Sequence, residues 1–153
     1  MVKYLDLKKI NDSFEPELSE AVARVVRSGW YLFGKEVETF EQRFAHYCGT
    51  GYCVGTGNGL DALTLIFMAY VSMGRMKVGD EVIVPANTYI ASILAVMRAG
   101  LKPVFCEPEW DTCNIDPGKV ENLISVRTKA VMVVHLYGRV CRMGEISRTA
   151  RKN

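Results

Sequence analysis

The sequence predicts an α/β protein, a mostly parallel sheet with helices on both faces. Three observations lead there. Four short apolar runs, "YCVGTG", "DEVIVPAN", "LKPVFCE" and "TKAVMVVHLYG", are separated by segments in which apolar residues recur at helical spacing. The runs are continuously apolar, as strands are when both faces of a parallel sheet are covered. Helix-opening residues stand between them, most plainly Asp116 as a cap with Pro117 at the first helical position.

Two helices precede the sheet. "NDSFEPELSEAVARVVRSG" has Asp12 or Ser13 as cap, Pro16 in the first turn, Gly29 as stop and Leu18, Val22, Val25 and Val26 as an expected buried stripe. The aromatic loop "WYLFG" follows, then a helix carrying Val37, Phe40, Phe44 and Tyr47. Beyond the strand expected at 52–57, the helix from Leu60 to Tyr70 is apolar on nearly every side and is expected to be buried. Strand "DEVIVPAN", helix "YIASILAVMRAG", strand "LKPVFCE", helix "DPGKVENLI", strand "TKAVMVVHLYG" and a helix opening at "MGEIS" complete the pattern. The one internal division suggested lies between a helical segment, residues 1–50, and a sheet-forming part, 51–153. The closing "RTARKN" falls where another strand is expected, so the chain reads as an amino-terminal piece.

At 153 residues, 49% hydrophobic and 24% charged, the composition is that of a soluble globular domain. The net charge of +2 comes without blocks of like charge, so neither a nucleic acid nor a membrane surface is an expected partner. The start lacks the apolar core of a signal peptide and no run reaches the length of a membrane span, which reads as cytoplasmic. Five scattered cysteines form no C-x-x-C pair, and the two histidines, His46 and His135, are far apart. Disulfides and a metal centre are not expected.

"CVGTGNGLDALTL" packs glycines into a strand-to-helix turn, where free N–H groups and the helix dipole favour an anion. A Walker loop is ruled out because Leu60 and Asp61 follow Gly59 where Lys-Ser/Thr is required. The dinucleotide fingerprint is met at Gly55 and Gly57, fails at Leu60, and lacks the acidic residue that should close the second strand. A nucleotide- or dinucleotide-binding module using the 55–61 loop remains the alternative, as does a turn that merely reverses the chain.

The third template comes from a resemblance. "SGWYLFGKEVETFEQRFAHYCG", "VGTGNGLDALTL", "GDEVIVPANTYIASILAV", "PVFCEPEWDTCNIDP" and "TKAVMVVHLYG" stand in the order and spacing of the nucleotide-sugar aminotransferase family, the DegT/StrS type, and span nearly the whole chain. The chain resembles most the members that aminate the 3-keto group of dTDP-linked 6-deoxyhexoses. The resemblance implies the large domain of the aspartate aminotransferase fold (pyridoxal-phosphate fold type I) and pyridoxal 5'-phosphate as cofactor. It implies a keto nucleotide sugar as substrate, an amino-acid donor such as glutamate, and a homodimer.

It also implies roles. Backbone N–H groups at Asn58, Gly59, Leu60 and Asp61 would hold the cofactor phosphate, though Asp61 itself suits a first-turn acid better than a phosphate ligand, because its charge repels the dianion. Tyr89 matches the position whose ring stacks on the cofactor, at a strand's carboxyl end, where such sheets bind ligands; a core tyrosine is the plain alternative. Ser92, one turn later, either faces the same pocket or is an ordinary helix residue. His135 either orients the cofactor or the sugar or is structural, and Tyr137, closing the same strand, is a candidate for contact with the substrate. Trp30 and Tyr31 either lie near the sugar nucleotide or anchor the leading helices. The Schiff-base lysine and the acidic partner of the ring nitrogen come, in the family, from an "EDAAQ"-like strand and a Ser-x-x-x-x-Lys stretch expected beyond Asn153. Lys102 and Lys129, at strand starts, are on the wrong edge to replace the lysine, so no catalytic residue is expected in residues 1–153.

Overall fold

Apolar spacing folds into helices up to Gly55 and into a covered sheet after it. In the computed structural model, which describes residues 3–153, the chain divides between Gly55 and Thr56 into two compact units. The first contains α1 (Leu7–Asp12), α2 (Glu17–Ser28) and α3 (Lys35–Cys48). The single helix expected over 11–29 is interrupted: Asp12 ends α1, Ser13 caps its carboxyl end, and α2 opens behind Pro16. Proline lacks an N–H and biases its predecessor away from helical geometry, so Pro16 starts a helix rather than continuing one. Neither Asp12 nor Ser13 caps α2. Gly29 does stop it, in the left-handed conformation at φ 66°. Leu18, Val22 and Val26 are exposed rather than buried, as are Phe40 and Phe44, whose rings stack 5.5 Å apart. A stripe records a preference for cover, and the described residues supply none there.

The second unit contains α4 (Gly59–Ser72), β1 (Glu81–Pro85), α5 (Ile90–Arg98), β2 (Lys102–Cys106), α6 (Pro117–Leu123), β3 (Thr128–Val131), a 3-10 turn (Leu136–Gly138) and α7 (Met143–Lys152). The three strands are parallel in the order β2-β1-β3. β1 is buried at every position, and its pleat sends alternate side chains to opposite faces. Val82 and Val84 join one core with Phe67 of α4 and Ala95 and Val96 of α5. Ile83 joins the other, with Val120 of α6 and Ile146 of α7. Val82, Ile83 and Val84 each contribute about 1.5–3 kcal/mol on burial, so β1 organises both layers.

Three more expectations are corrected. Residues 52–57 form no strand: Tyr52 and Val54 are exposed, and the run pairs with nothing among the described residues. The sheet therefore has three described strands instead of four. β3 stops at Val131, followed by one further bond from Met132 N–H to the Ile83 carbonyl at 2.8 Å. The next donor on that side of β1 would be Pro85, which has no N–H, so the ladder ends. Finally, α4 is apolar all round yet packed on one side only; Leu60, Leu63 and Val71 meet the core, while Leu65, Ile66 and Met68 are exposed.

Candidate functional site

Asn58 precedes α4 in extended conformation, and its carboxamide oxygen accepts the Asp61 N–H at 3.0 Å. Its Nδ2 donates to Asp61 Oδ2 at 2.9 Å, and the same carboxylate lies 3.9 Å from the Arg98 guanidinium. Asp61 is thus a first-turn acid held by its neighbours, and its own N–H is already used. The Ala62 N–H is used too, on the Asn58 carbonyl at 3.1 Å. The N–H groups of Asn58, Gly59 and Leu60 remain without an acceptor among the described residues, the last two inside the helix itself. The Leu60 side chain packs on the core, which fixes the turn, and a Cβ built on Gly59 would meet nothing within 4 Å. Free donors at the positive end of a helix, with open space beside them, are chemically suited to an anion.

Because the strands are parallel, their carboxyl ends share one edge. Tyr89 lies beyond it, four residues past Pro85 rather than at the strand end; it is the residue before α5 and is 77% exposed. The offset follows from the turn 86–89 that re-aims the chain into α5. Ser92 is buried, its hydroxyl 3.0 Å from that of Thr88, and its N–H bonds the Tyr89 carbonyl. It braces the turn under Tyr89. His135 and Tyr137 do not close a strand; they stand past Val131, and Tyr137 is 95% exposed in the left-handed region at φ 53°. That conformation is rare for a bulky side chain and is retained where something holds it.

What holds it is Asn114, which the sequence reading missed. Asn114 is buried, donates from Nδ2 to the Arg139 carbonyl at 2.9 Å and accepts the Leu136 N–H on Oδ1 at 3.2 Å. Asn87 similarly donates from Nδ2 to the Cys113 carbonyl at 2.9 Å. The two carboxamides tie together the loops that follow all three strands. The available signal was a polar residue closely following an apolar strand in "VPAN" and one set beside an apolar neighbour in "CNI".

Trp30 and Tyr31 belong to the first unit, where they line a surface cavity of about 510 Å3 with Arg24, Phe33 and Glu36. The Trp30 indole N–H donates to the Leu32 carbonyl at 2.6 Å, which fixes the ring. At the other edge of the sheet Glu81 accepts the Ser125 hydroxyl at 2.6 Å and pairs with Arg127 at 2.9 Å. The Ser125 bond first, and then the Arg127 charge, hold its carboxyl below the usual range against the opposing effect of burial. Lys102 reaches this carboxylate at 3.9 Å and Lys129 donates to the Val126 carbonyl, so both lysines stand at strand starts, away from Tyr89. Burial pushes the Cys106 and Cys141 thiols up, which keeps them protonated.

A parallel sheet covered on both faces, with free N–H groups at one helix N-terminus and exposed aromatics past the carboxyl edge, has the form of a cofactor-binding α/β domain. Residues 12–153 match the model of the DegT/DnrJ/EryC1/StrS aminotransferase family, and the chain belongs to that family. It is 55% identical over 152 residues to the dTDP-3-amino-3,6-dideoxy-alpha-D-galactopyranose transaminase of Aneurinibacillus thermoaerophilus, covering 99% of this chain and 41% of that protein. It is 45% identical to the dTDP-3-amino-3,4,6-trideoxy-alpha-D-glucose transaminase of Streptomyces venezuelae, covering 99% and 39%. Among solved structures it is similar to S. venezuelae DesV in complex with a ketimine intermediate, with a TM-score of 0.88 at 45% identity, covering 99% of this chain and 40% of that one. NtdA of Bacillus subtilis with bound cofactor PMP gives 0.85 at 31% identity, covering 99% and 34%. The chain spans about two fifths of the length of the curated relatives named here.

Proposed function

We propose that this chain supplies the phosphate seat and the ring-stacking side of a pyridoxal-phosphate aminotransferase that aminates a keto nucleotide sugar. The substrate class is a dTDP-linked keto-6-deoxyhexose, with an amino acid such as glutamate as donor. The observation that carries the reading is the pair of free N–H groups at Gly59 and Leu60 in a chain 55% identical to a dTDP-sugar transaminase. The residues suit the cofactor. Two backbone donors and the α4 dipole match a phosphate dianion, and the open space at Gly59 admits it. Asn58 and Arg98 engage the Asp61 carboxylate, which offsets the one negative charge beside the seat. Tyr89 offers an exposed ring for stacking, and His135 and Tyr137 offer polar groups past the same edge.

Pyridoxal phosphate, when bound, supplies the electron sink that transamination needs. The chain's own part is to bind and orient: the α4 amides would hold the phosphate end, and Tyr89 would face the ring. Trp30 and Tyr31 offer aromatic faces to the sugar nucleotide. The helical segment, read as 1–50, carries that contact, and the part from 51 on carries the cofactor. The working form is read as a cytoplasmic homodimer. The exposed Leu65, Ile66 and Met68 supply apolar surface for such a contact, and among the described residues no helix is long and apolar enough to cross a membrane.

Titration of the chain with pyridoxal 5'-phosphate, followed by intrinsic fluorescence, tests the cofactor half of this reading. Saturable binding that inorganic phosphate competes away is expected. Saturable binding of NAD with no response to pyridoxal phosphate would overturn it in favour of a dinucleotide module. The structure favours no such module, since Leu60, at the third glycine position, is packed on the core.

A further inference from the structure

The segment from His135 to Cys141 holds a hydrogen bond that decides the chemistry of its histidine. The His135 Nδ1 accepts the backbone N–H of Cys141 at 3.2 Å. Asn114 grips the turn between them, at Leu136 N–H and at the Arg139 carbonyl. Cys141 is itself anchored: it is buried, and its thiol donates to the Val134 carbonyl at 3.2 Å. A backbone N–H only donates, so the ring nitrogen facing it carries a lone pair. In the neutral imidazole the proton then sits on Nε2. His135 is exposed, and Nε2 has no partner among the described residues.

We propose that His135 acts as a hydrogen-bond donor through Nε2, locked in that tautomer by the Cys141 N–H, with Asn114 as the positioning residue of the lock. The group it takes is a carbonyl or anionic oxygen of a ligand at the carboxyl edge of the sheet. It does not act as a base through Nε2, because that nitrogen holds the proton. The choice of ligand rests on the cofactor-binding reading above; the tautomer does not.

Long-range proton–nitrogen NMR of the nitrogen-15-labelled chain, at a pH where the ring is neutral, reads the tautomer directly. Nε2 is expected in the protonated range and Nδ1 in the unprotonated range, with no ligand present. Averaged shifts, or a protonated Nδ1, would overturn the lock. In Asn114→Ala the two nitrogens are expected to move toward averaging; a lowered melting point with the tautomer intact would reduce Asn114 to a structural residue. Since Asn114→Ala removes a buried group and can unfold the turn, His135→Ala at an exposed site is the second arm. There the Cys141 amide is expected to exchange about tenfold faster than in the wild type while Leu136 stays protected. Equal Cys141 exchange in the two proteins would count against the bond. Addition of pyridoxal 5'-phosphate is expected to move the Nε2 proton resonance; binding that leaves it unmoved overturns the donor role. Absence of binding with the tautomer in place upholds the lock and counts against the cofactor reading instead.

Discussion

Replacing Gly59 with alanine should make the protein more stable and a poorer phosphate binder at once. Gly59 is the first residue of α4 and is not among the glycines with positive φ. A Cβ there meets no atom within 4 Å. Alanine is therefore accommodated, and by narrowing the unfolded ensemble it should add about 0.4–1 kcal/mol. For a chain of this size that is a rise in Tm of roughly 1–4 °C. Binding moves the other way, because the methyl group fills the space from which an anion reaches the Gly59 N–H. A hydrogen bond to a charged group contributes about 1.5–3 kcal/mol, so losing it weakens binding about 10- to 150-fold. Thermal melts and fluorescence titration with pyridoxal 5'-phosphate on the wild type and Gly59→Ala measure both. Unchanged affinity would refute the donor role of this amide. A lower Tm would refute the open space beside it.

Other changes test the same structure. Asn58→Ala removes the α4 cap and Asp61's partner and should cost about 1 kcal/mol in urea unfolding, while Asn58→Ser retains most of it. Glu81, whose folded carboxyl is lowered chiefly by Ser125 and then by Arg127, should stabilise fully above the ordinary carboxylate value of about 4.3 and lose that contribution as pH falls through the lower folded value. In pH-dependent melts the gap between the wild type and Glu81→Gln should therefore close toward acid; a gap that persists there would assign it to packing. Tyr137→Gly releases a left-handed aromatic that is 95% exposed and, set against the unfolded freedom of glycine, should leave stability unchanged or raised by up to about 1 kcal/mol. A loss above that size in urea unfolding would mean that the ring is packed.

What was legible in the sequence was local. β1, α5, β2 and α6 lie within a residue or two of the runs that announced them, because an apolar run and an Asp-Pro cap act over a few residues. The α4 cap and the free N–H groups behind it were legible for the same reason, since they fall within "NGLD". What failed needed a partner elsewhere. "YCVGTG" has strand composition but no ladder, α4 and α2 have apolar faces that the described residues leave exposed, and β3 is cut short by a missing donor on a different strand. Asn114 stood out only as a polar residue beside an apolar neighbour, because its role spans 22 and 25 positions to Leu136 and Arg139. A polar residue between a strand and a helix otherwise reads as turn material.

The carboxamides of Asn87 and Asn114 bear on how such a site can be re-engineered. The loops that cap this sheet are not independent parts. Here the segment after β2 is fastened to the one after β1 through Cys113 and to the one after β3 through Leu136 and Arg139. Grafting the segment after β2 or the one after β3 alone leaves the buried Asn114 carboxamide or its partners unpaired, and replacing the one after β1 loses the exposed Asn87–Cys113 bond, so the three loops form a single exchangeable cassette.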